Sequence, residues 1–356
     1  MLIILTAGLI SLVITLVGTR YWILFLKRHA YGQFIRDDGP TAHHTKRGTP
    51  TMGGAILIVA VVIGYLGSHI IFTRPLSVSG LLALGLMVGL GAIGFVDDWI
   101  KIRHARSLGL HAWAKLALQS LVGAAFAVAA LGFPDDRGFT PASAAISFQR
   151  DIGWLTLPLV VAVIWIMFII AAFSNGANLT DGLDGLLTGS AAMVFVAYSI
   201  VNFWQANQWC GTLSTAGPKC YDVRNPLDLA VVCVAVAGGL FGFLWWNARP
   251  AKIFLGDTGS LAIGGGVAAM TIMTRTELIG VVIGLLFVLE ALSVMLQVGF
   301  FKLTGGRRLL KMAPLHHHFE MIGWEEVTVV IRLWIVAGLA AAVGVGLFYG
   351  EWAVGQ

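Results

Sequence analysis

The sequence predicts an all-α, polytopic integral membrane protein, and three observations support this class. Hydrophobic residues make up 58% of the 356 residues and charged residues only 12%, an apolar share above that of soluble domains. The mean hydropathy is +0.85. Apolar runs long enough to cross a bilayer, which takes roughly 20 helical residues, recur along the chain. They do not alternate with polar residues, which excludes an outer-membrane β-barrel.

Ten apolar runs predict ten transmembrane helices. The first run has no basic segment before it and is followed by Lys27 and Arg28, so we interpret it as a retained span and not a cleaved signal. The third contains a dinucleotide-type glycine pattern, but no strand precedes it, and its small residues are typical of closely packed membrane helices. The loops are short, so residues 1–356 are expected to form a single transmembrane domain. The predicted spans cover residues 2–26, 51–72, 78–98, 113–132, 155–173, 186–204, 228–246, 258–273, 278–301 and 329–349.

The unequal distribution of Lys and Arg predicts the orientation. Fifteen of these residues lie in the loops after spans one, three, seven and nine, against six in the loops on the opposite side. Because cytoplasmic loops carry an excess of Lys and Arg, both termini are predicted to be extracytoplasmic. The net charge of +5 follows mainly from this bias. It suits anionic membrane lipids and gives no reason to expect a nucleic-acid partner.

The three cysteines are predicted to lie in different environments. Cys210 and Cys220 share the outer loop between spans six and seven, whereas Cys233 lies inside an apolar run. An oxidising exterior permits a disulfide between the first two. Two cysteines in one loop leave both the bonded and the free form open.

Three carboxylates at predicted cytoplasmic span ends are the first candidates for chemistry. Asp97 and Asp98 end the third span, and Asp257 stands where the eighth begins, beside Gly256 and Gly259. Adjacent carboxylates repel each other unless a cation compensates them, and Mg²⁺ typically takes one or two carboxylates together with substrate phosphates. A solvated helix end would explain the pair but not the third carboxylate. We therefore predict a magnesium site.

Two further polar segments fall in predicted cytoplasmic loops. Asn178, Asp181 and Asp184 recur every third residue. On a helical turn they would form one polar face, and on a loop they would line a glycine-flexed pocket. The alternative is a helix cap for span six at Thr180 or Asp181, which explains at most one residue of the three. The run of three histidines that begins at His316 cannot face one way on a helix, so a three-histidine metal site is not expected. We interpret these rings as hydrogen-bond donors to phosphate or sugar, with one a candidate for proton transfer.

Two polar side chains lie inside the predicted ninth span. Glu290 and Gln297 are seven residues apart and therefore on one helical face. Because an ionisable group at membrane depth is costly, both are expected to face the protein interior or a wet cleft. A buried polar network and a functional role both stay open for Glu290, whereas Gln297, nearer the cytoplasmic end, is the better site candidate.

Six motifs follow one another along the whole chain, at residues 44–54, 94–98, 178–184, 247–251, 256–260 and 313–320. In this order they resemble the motifs of the phospho-N-acetylmuramoyl-pentapeptide transferase family (MraY). The resemblance implies ten membrane helices in the bacterial cytoplasmic membrane, an active site on the cytoplasmic face, dependence on Mg²⁺ and a homodimer. It also implies the reaction, in which phospho-MurNAc-pentapeptide passes from UDP-MurNAc-pentapeptide to undecaprenyl phosphate, giving lipid I and UMP for peptidoglycan synthesis.

Carried over position by position, the resemblance implies roles for particular residues. Asp97 would deprotonate or orient the lipid phosphate, Asp257 and Asp98 would hold Mg²⁺, and Lys115 would complete the catalytic group. Phe254 would stack on uracil. The other implied substrate-binding residues are Lys46, Thr51, Asn178, Asp181, Gly182, Leu183, Asp184, Asn247, Gln297, Ala313, His316, His317 and His318.

Two alternatives stay open beside this interpretation. A sibling polyprenyl-phosphate N-acetylhexosamine-1-phosphate transferase would share the acidic motifs and use UDP-GlcNAc, but the uninterrupted histidine run and residues 46–54 favour the first family. A secondary transporter would carry its ionisable residues near the bilayer midplane and would contain internal repeats. Most candidate residues here are predicted at the cytoplasmic edge, and the sequence has no visible repeat.

Overall fold

The computed structural model describes residues 1–29, 31–32, 48–104, 106, 108–210 and 220–353. Over these residues the chain forms twelve helices and one two-stranded hairpin. The helices are α1 (Leu2–Arg28), α2 (Gly54–Ile71), α3 (Val78–Arg103), α4 (Ala112–Gly132), α5 (Leu159–Thr180), α6 (Leu186–Asn207), α7 (Pro226–Asn247), α8 (Gly256–Met273), α9 (Glu277–Ile283), α10 (Leu285–Leu303), α11 (Leu315–Met321) and α12 (Glu326–Ala353). The hairpin pairs β1 (Ala145–Ser147) antiparallel with β2 (Asp151–Thr156), between α4 and α5.

The predicted all-α membrane class is confirmed. In the described part of the chain, nine helices are long and apolar enough to cross a membrane, namely α1 to α7, α10 and α12. The remaining predicted span corresponds to α8, which is a helix at the expected place but is rich in glycine and polar in its first turn. The number of crossings and the side on which the termini lie stay predictions.

The predicted ninth span is two helices, so the expectation of one continuous helix is wrong. α9 ends at Ile283 and α10 begins at Leu285, and Gly284 between them has φ −92° and ψ 23°. A Cβ on Gly284 would stand 2.7 Å from the ring of Phe173. A side chain is therefore excluded at the point where α5 packs against the break.

α8 is the central element of the helix bundle. Every residue from 258 to 273 is buried, and the helix packs against α3, α5 and α2. Glycines permit this close approach, because a Cβ on Gly54 would stand 2.1 Å from the backbone nitrogen of Gly259. Likewise, a Cβ on Gly94 would stand 2.1 Å from the backbone oxygen of Asp257. The second contact brings the C-terminal part of α3 against the first turn of α8.

The N-terminal end of α3 lies in a polar cluster. We call it the Asp228 cluster (Tyr65, His69, Ser77 and Asp228). The hydroxyl oxygen of Ser77 accepts the N–H of Gly80 at 3.0 Å and so caps the helix. The Asp228 carboxylate accepts from the hydroxyls of Ser77 and Tyr65 and lies 2.7 Å from Nε2 of His69. One carboxylate from α7 therefore ties together α2, α3 and α7.

The same end of the bundle carries the disulfide and the hairpin. Cys210 and Cys220 are bonded, and Cys233 is buried and free. Oε2 of Glu277 accepts from the backbone N–H of Ser147 at 3.0 Å and from the indole N–H of Trp165 at 3.1 Å. This buried carboxylate therefore fastens the hairpin and α5 to the start of α9.

Candidate active site

Three carboxylates meet where the C-terminal part of α3 contacts the start of α8. One oxygen each of Asp97, Asp98 and Asp257 lies within 4.8 Å of the others. Asp97 and Asp98 are 3% and 2% exposed. Gly256 has a left-handed backbone, φ +74°, and a Cβ there would stand 2.5 Å from Oδ2 of Asp98. The absence of a side chain at this residue thus lets the backbone before Asp257 lie against the Asp98 carboxylate.

Asp98 caps the N-terminus of α8. Its Oδ2 accepts from the backbone N–H of Thr258 at 3.0 Å and from the hydroxyl of that residue at 2.7 Å. Its Oδ1 accepts from the N–H of Asp257 at 3.2 Å. A carboxylate is stabilised at a helix N-terminus by the N–H groups that lack helical partners. Asp97 instead accepts from the N–H of Leu110 at 2.8 Å, in the loop before α4.

Two lysines contact the three carboxylates. Nζ of Lys101 lies 2.6 Å from Asp97, 3.7 Å from Asp98 and 3.0 Å from Asp257. Nζ of Lys115 lies 2.6 Å from Asp257. Lys115 is one of the residues that the family resemblance implies, whereas Lys101 is not among the sequence candidates. Its spacing of four and three residues from the acidic pair, which places helical side chains side by side, is the signal that would have found it.

The donors of this cluster fit a divalent cation. Carboxylate oxygens are the ligands that Mg²⁺ prefers, and the three carboxylates exceed the two ammonium groups by one negative charge. Lys101 already holds a positive charge within 3.7 Å of all three carboxylates. Its side chain is 29% exposed, so it has room to move outward if a metal ion takes its place. This group of three carboxylates, which we call the acidic cluster (Asp97, Asp98 and Asp257), can therefore hold a metal ion.

Asn178 lies in a helix and not in the predicted loop, because α5 continues beyond its expected end. The side-chain amide donates to Oδ1 of Asp257 at 2.9 Å, which joins α5 to the acidic cluster. α6 follows Gly185 and has no side-chain cap. The alternative in which Thr180 or Asp181 caps span six is therefore wrong.

The turn after α5 combines an acid, a glycine and an apolar anchor. Burial raises the pKa of Asp181 well above its usual range. The neighbouring carboxylates raise this pKa further, and Asp257 contributes the most among them. Gly182 lies against the ring of His316, since a Cβ at this glycine would stand 2.2 Å from Nε2. Leu183 is buried in an apolar cluster with side chains of α10 and α12. Packing on two sides therefore fixes this turn.

Asp184 and Asn247 hold two connecting segments together. Oδ2 of Asp184 accepts from the N–H of Ala251 at 3.1 Å. Asn247 accepts from the hydroxyl of Thr188 at 2.6 Å and donates to the backbone oxygen of Ile253 at 3.0 Å. Both side chains are buried. They join the segment between α5 and α6 to the segment between α7 and α8.

Glu326 fastens the same two segments and was not a sequence candidate. It is the first residue of α12 and is 6% exposed. Its Oε1 accepts from the N–H of Asp184 at 3.1 Å, and its Oε2 pairs with the guanidinium of Arg249. No local pattern could have found this contact, because 142 residues separate Glu326 from Asp184.

The segment before α2 runs beside the connection that carries Phe254. The backbone N–H of Phe254 donates to the oxygen of Pro50 at 2.8 Å, and its side chain is half-buried. Thr51 is buried, and its hydroxyl would stand 2.9 Å from a Cβ on Gly256. Stacking of Phe254 on uracil stays a prediction. Lys46 lies outside the described residues.

The three histidines make three different contacts near the start of α11. Nδ1 of His317 lies 2.7 Å from the carboxylate of Glu320. Nδ1 of His318 accepts from the backbone N–H of Lys311 at 3.1 Å, so in this geometry the ring proton of His318 is on Nε2. His316 is fully buried. The rings therefore point into different surroundings.

Gln297 and Glu290 both face the histidine segment, as their common helical face predicts. Oε1 of Gln297 accepts from the N–H groups of Leu309 and the next residue, at 3.1 and 2.8 Å. Glu290 is fully buried and lies 3.2 Å from Nδ1 of His316. Ala313 is partly buried just before α11. α10 thus contacts both the middle of the loop before α11 and the first histidine.

The sequence matches known proteins over nearly its entire length. A sequence profile of glycosyl transferase family 4 matches residues 80–275, which include the acidic cluster. A relative from Cutibacterium acnes is 60% identical over 354 residues, covering 99% of both chains. Relatives from Nocardioides sp. and Streptomyces avermitilis are 58% and 57% identical, over 99% and 98% of both chains. All three are named phospho-N-acetylmuramoyl-pentapeptide-transferase.

The fold and the site together define a membrane-embedded transferase of glycosyl transferase family 4. A phospho-N-acetylmuramoyl-pentapeptide-transferase signature also matches residues 46–59. The chain belongs to the phospho-N-acetylmuramoyl-pentapeptide-transferase family, and it is a bacterial membrane protein.

Proposed function

We propose that this protein transfers phospho-MurNAc-pentapeptide from UDP-MurNAc-pentapeptide to undecaprenyl phosphate, forming lipid I and UMP for peptidoglycan synthesis. The observation that carries the proposal is the cluster of three carboxylates and two lysines at the junction of α3 and α8. The choice of substrates is supported by the 60% identity to a relative named phospho-N-acetylmuramoyl-pentapeptide-transferase.

In the proposed reaction, an oxygen of the lipid phosphate attacks the β-phosphorus of the donor. The bond from this phosphorus to the oxygen that bridges to the α-phosphate breaks, and UMP leaves with that oxygen. Enzymes accelerate such transfers mainly by positioning the groups and neutralising their charge. Lys101 and Lys115 are suited to the neutralisation, and Asp97 is the proposed group that orients the lipid phosphate or accepts its proton.

Mg²⁺ is the proposed cofactor, with Asp257 and Asp98 as its protein ligands. When bound, it would neutralise charge on the diphosphate of the donor. Asn178 supports this arrangement, because its amide donates to Oδ1 of Asp257 at 2.9 Å and so fixes one side of that carboxylate. Lys101 would balance the carboxylates whenever the ion is absent.

The nucleoside and the sugar-peptide arm are proposed to bind at different loops. Uracil would stack on Phe254, beside the turn formed by residues 181–184. The MurNAc-pentapeptide would extend towards His317 and His318, whose rings are partly exposed. This division is supported by the hydrogen bonds that hold each loop. Glu326 of α12 holds the turn at residues 181–184, and Gln297 of α10 holds the segment before α11.

The proposed membrane arrangement follows the charge bias of the sequence. The acidic cluster would lie at the cytoplasmic face of the bacterial cytoplasmic membrane, with both termini on the other side. The Asp228 cluster and the disulfide would then lie at the outer face. We also propose that the protein works as a homodimer, as its family resemblance implies.

The experiment that tests the function incubates the purified protein with UDP-MurNAc-pentapeptide, undecaprenyl phosphate and Mg²⁺, followed by mass analysis for lipid I and UMP. A parallel reaction with UDP-GlcNAc at equal concentration should give little or no lipid product. Equal or faster transfer from UDP-GlcNAc would assign the chain to the sibling transferases. Absence of lipid product from both donors would remove the proposed function.

A further inference from the structure

Glu290 is a fully buried carboxylate with no part in the proposed reaction. It lies in α10 and is 0% exposed. Its Oε2 lies 3.2 Å from Nδ1 of His316 and accepts a long hydrogen bond, 3.4 Å, from the backbone N–H of that residue. A buried carboxylate is costly unless it has a partner. The contact therefore fixes the start of α11 against α10.

The other side of the His316 ring contacts the turn after α5. A Cβ on Gly182 would stand 2.2 Å from Nε2 of the ring and 2.8 Å from Cε1. Among the residues that the structure describes, no group forms a hydrogen bond with either ring nitrogen, and the ring is 0% exposed. The contact is therefore van der Waals packing, and it requires glycine at position 182.

The turn that contains Gly182 is connected to the acidic cluster. One helical turn earlier, the amide of Asn178 donates to Oδ1 of Asp257 at 2.9 Å. On the other side, Leu183 belongs to the same buried apolar cluster as Leu286, which lies one turn before Glu290 on the same face of α10. A displacement of the His316 ring would therefore move a segment that is also held by the acidic cluster.

From these contacts we propose that Glu290 is a positioning residue. Through His316 it sets the place of the turn at residues 181–184, and so the affinity for the nucleoside end of the donor. Glu290 acts without touching the ligand. The inference rests on the proposed function for the identity of that ligand, and UMP is therefore the probe.

The test compares Gly182→Ala in two backgrounds by titrating UMP into purified protein. In the otherwise wild-type chain, the new methyl group meets a ring that Glu290 holds in place, so UMP affinity should fall about tenfold. Glu290→Ala should also weaken UMP binding, because it releases the ring. In that background the ring can retreat, so Gly182→Ala should add less than about a twofold loss. If the losses of UMP affinity in the two single variants multiply in the double variant, the proposal is overturned.

Two further variants separate positioning from a general loss of stability. Glu290→Gln keeps a side-chain oxygen that accepts from the backbone N–H of His316 and lies beside its ring, so it should retain most of the UMP affinity. Glu277→Ala removes a buried carboxylate of the hairpin anchor, and it should lower the melting temperature while leaving UMP affinity unchanged. In the Glu277→Ala background, Gly182→Ala should still lower UMP affinity about tenfold, because distant substitutions act independently. Relief of the penalty there as well would overturn the proposal.

Glu290→Leu replaces Glu290→Ala if the alanine variant does not fold, because an apolar side chain of similar volume is tolerated at a buried ionic position. The wild-type protein is measured first for UMP binding and lipid I formation. Absence of both would remove the proposed function and this inference with it. A wild-type protein that binds UMP and makes lipid I, with independent penalties at residues 290 and 182, would overturn only the inference.

Discussion

α3 has a polar cluster at each end, and the two clusters differ in their charge balance. At its first residue, the single carboxylate of Asp228 accepts from two hydroxyls and lies 2.7 Å from the imidazole of His69. At its last turns, the carboxylates of Asp97, Asp98 and Asp257 face the ammonium groups of two lysines. The first cluster has a donor for each carboxylate oxygen, whereas the second has more negative than positive charge.

This difference in charge balance distinguishes a cluster that stabilises the fold from one that is suited to bind a ligand. A buried polar network in which each acceptor has its donor stiffens the packing of the helices that supply it. A group of carboxylates with incomplete compensation instead attracts a cation or a cationic ligand. The Asp228 cluster therefore joins α2, α3 and α7, whereas the acidic cluster is the proposed binding site. The same Asp→Asn substitution in each cluster should have opposite consequences.

The largest effect is expected from Asp257→Asn in the acidic cluster. The change keeps the size of the side chain and removes the charge that both lysines contact, so lipid I formation should fall by at least about a hundredfold. The melting temperature should change little, because Lys101 retains Asp97 and Asp98 and the side chain of Lys115 is partly exposed to solvent. Turnover assays at saturating and limiting Mg²⁺ measure the loss. Near-normal turnover at limiting Mg²⁺ would rule out Asp257 as a metal ligand.

The two ends of α3 should also differ in the side of the membrane from which they are accessible. The Lys and Arg bias predicts that a cysteine at Arg106, just beyond the acidic end, reacts almost only from the cytoplasmic side. A cysteine at Arg308 should behave in the same way, and one at Arg137 should react from outside. Labelling with an impermeant maleimide in intact cells and in inverted vesicles measures this. Equal access of all three from one side would contradict the proposed orientation.

Asp228→Asn, the matched change in the Asp228 cluster, should affect stability and not chemistry. Replacing a charged acceptor of several buried hydrogen bonds by an amide is expected to cost about 1–3 kcal/mol of unfolding free energy. The melting temperature in detergent should fall, while turnover per folded molecule stays near that of the wild type at a permissive temperature. An unchanged melting temperature, or a selective loss of turnover, would remove the structural role of this cluster.

The smallest effect is expected from Asp181→Asn. This change should raise the melting temperature, whereas Asp228→Asn should lower it. Burial raises the pKa of Asp181 above its ordinary value of 3.8, so the folded state binds its proton more tightly than the unfolded state does. Stability from this group is then present at low pH and is lost as the pH rises from about 4 through the folded-state pKa. Without substrate or metal, Asp181→Asn should slightly raise the melting temperature at neutral pH. Melting curves across this pH range measure the effect, and a fall at neutral pH would contradict it.

The sequence predicted the acidic cluster because its carboxylates lie in short, recognisable motifs. Asp97 and Asp98 are adjacent, and Asp257 follows a glycine at the start of a helix, so each part has a local signature. Lys101 also has one, since it lies on the same helical face as the acidic pair. Apolar runs of sufficient length likewise predicted the membrane class, because bilayer thickness fixes the length of a spanning helix.

Other features have no local signature, and the structure was needed to find them. The break at Gly284 lies within a continuous apolar run, and hydropathy does not distinguish one long helix from two shorter ones. α8 is less apolar than its neighbours because protein surrounds it on nearly all sides, and burial in protein relaxes the need for a lipid-compatible surface.

The sequence by itself determined the class of the protein, the carboxylates of its site and the family to which its motifs point. Apolar length and residue spacing along one chain are enough for these conclusions. Only the tertiary structure decided which buried groups are partners, such as Glu290 with His316 and Glu326 with Asp184. These pairs join residues that are far apart in sequence, and helix packing across the whole bundle sets the distance between them.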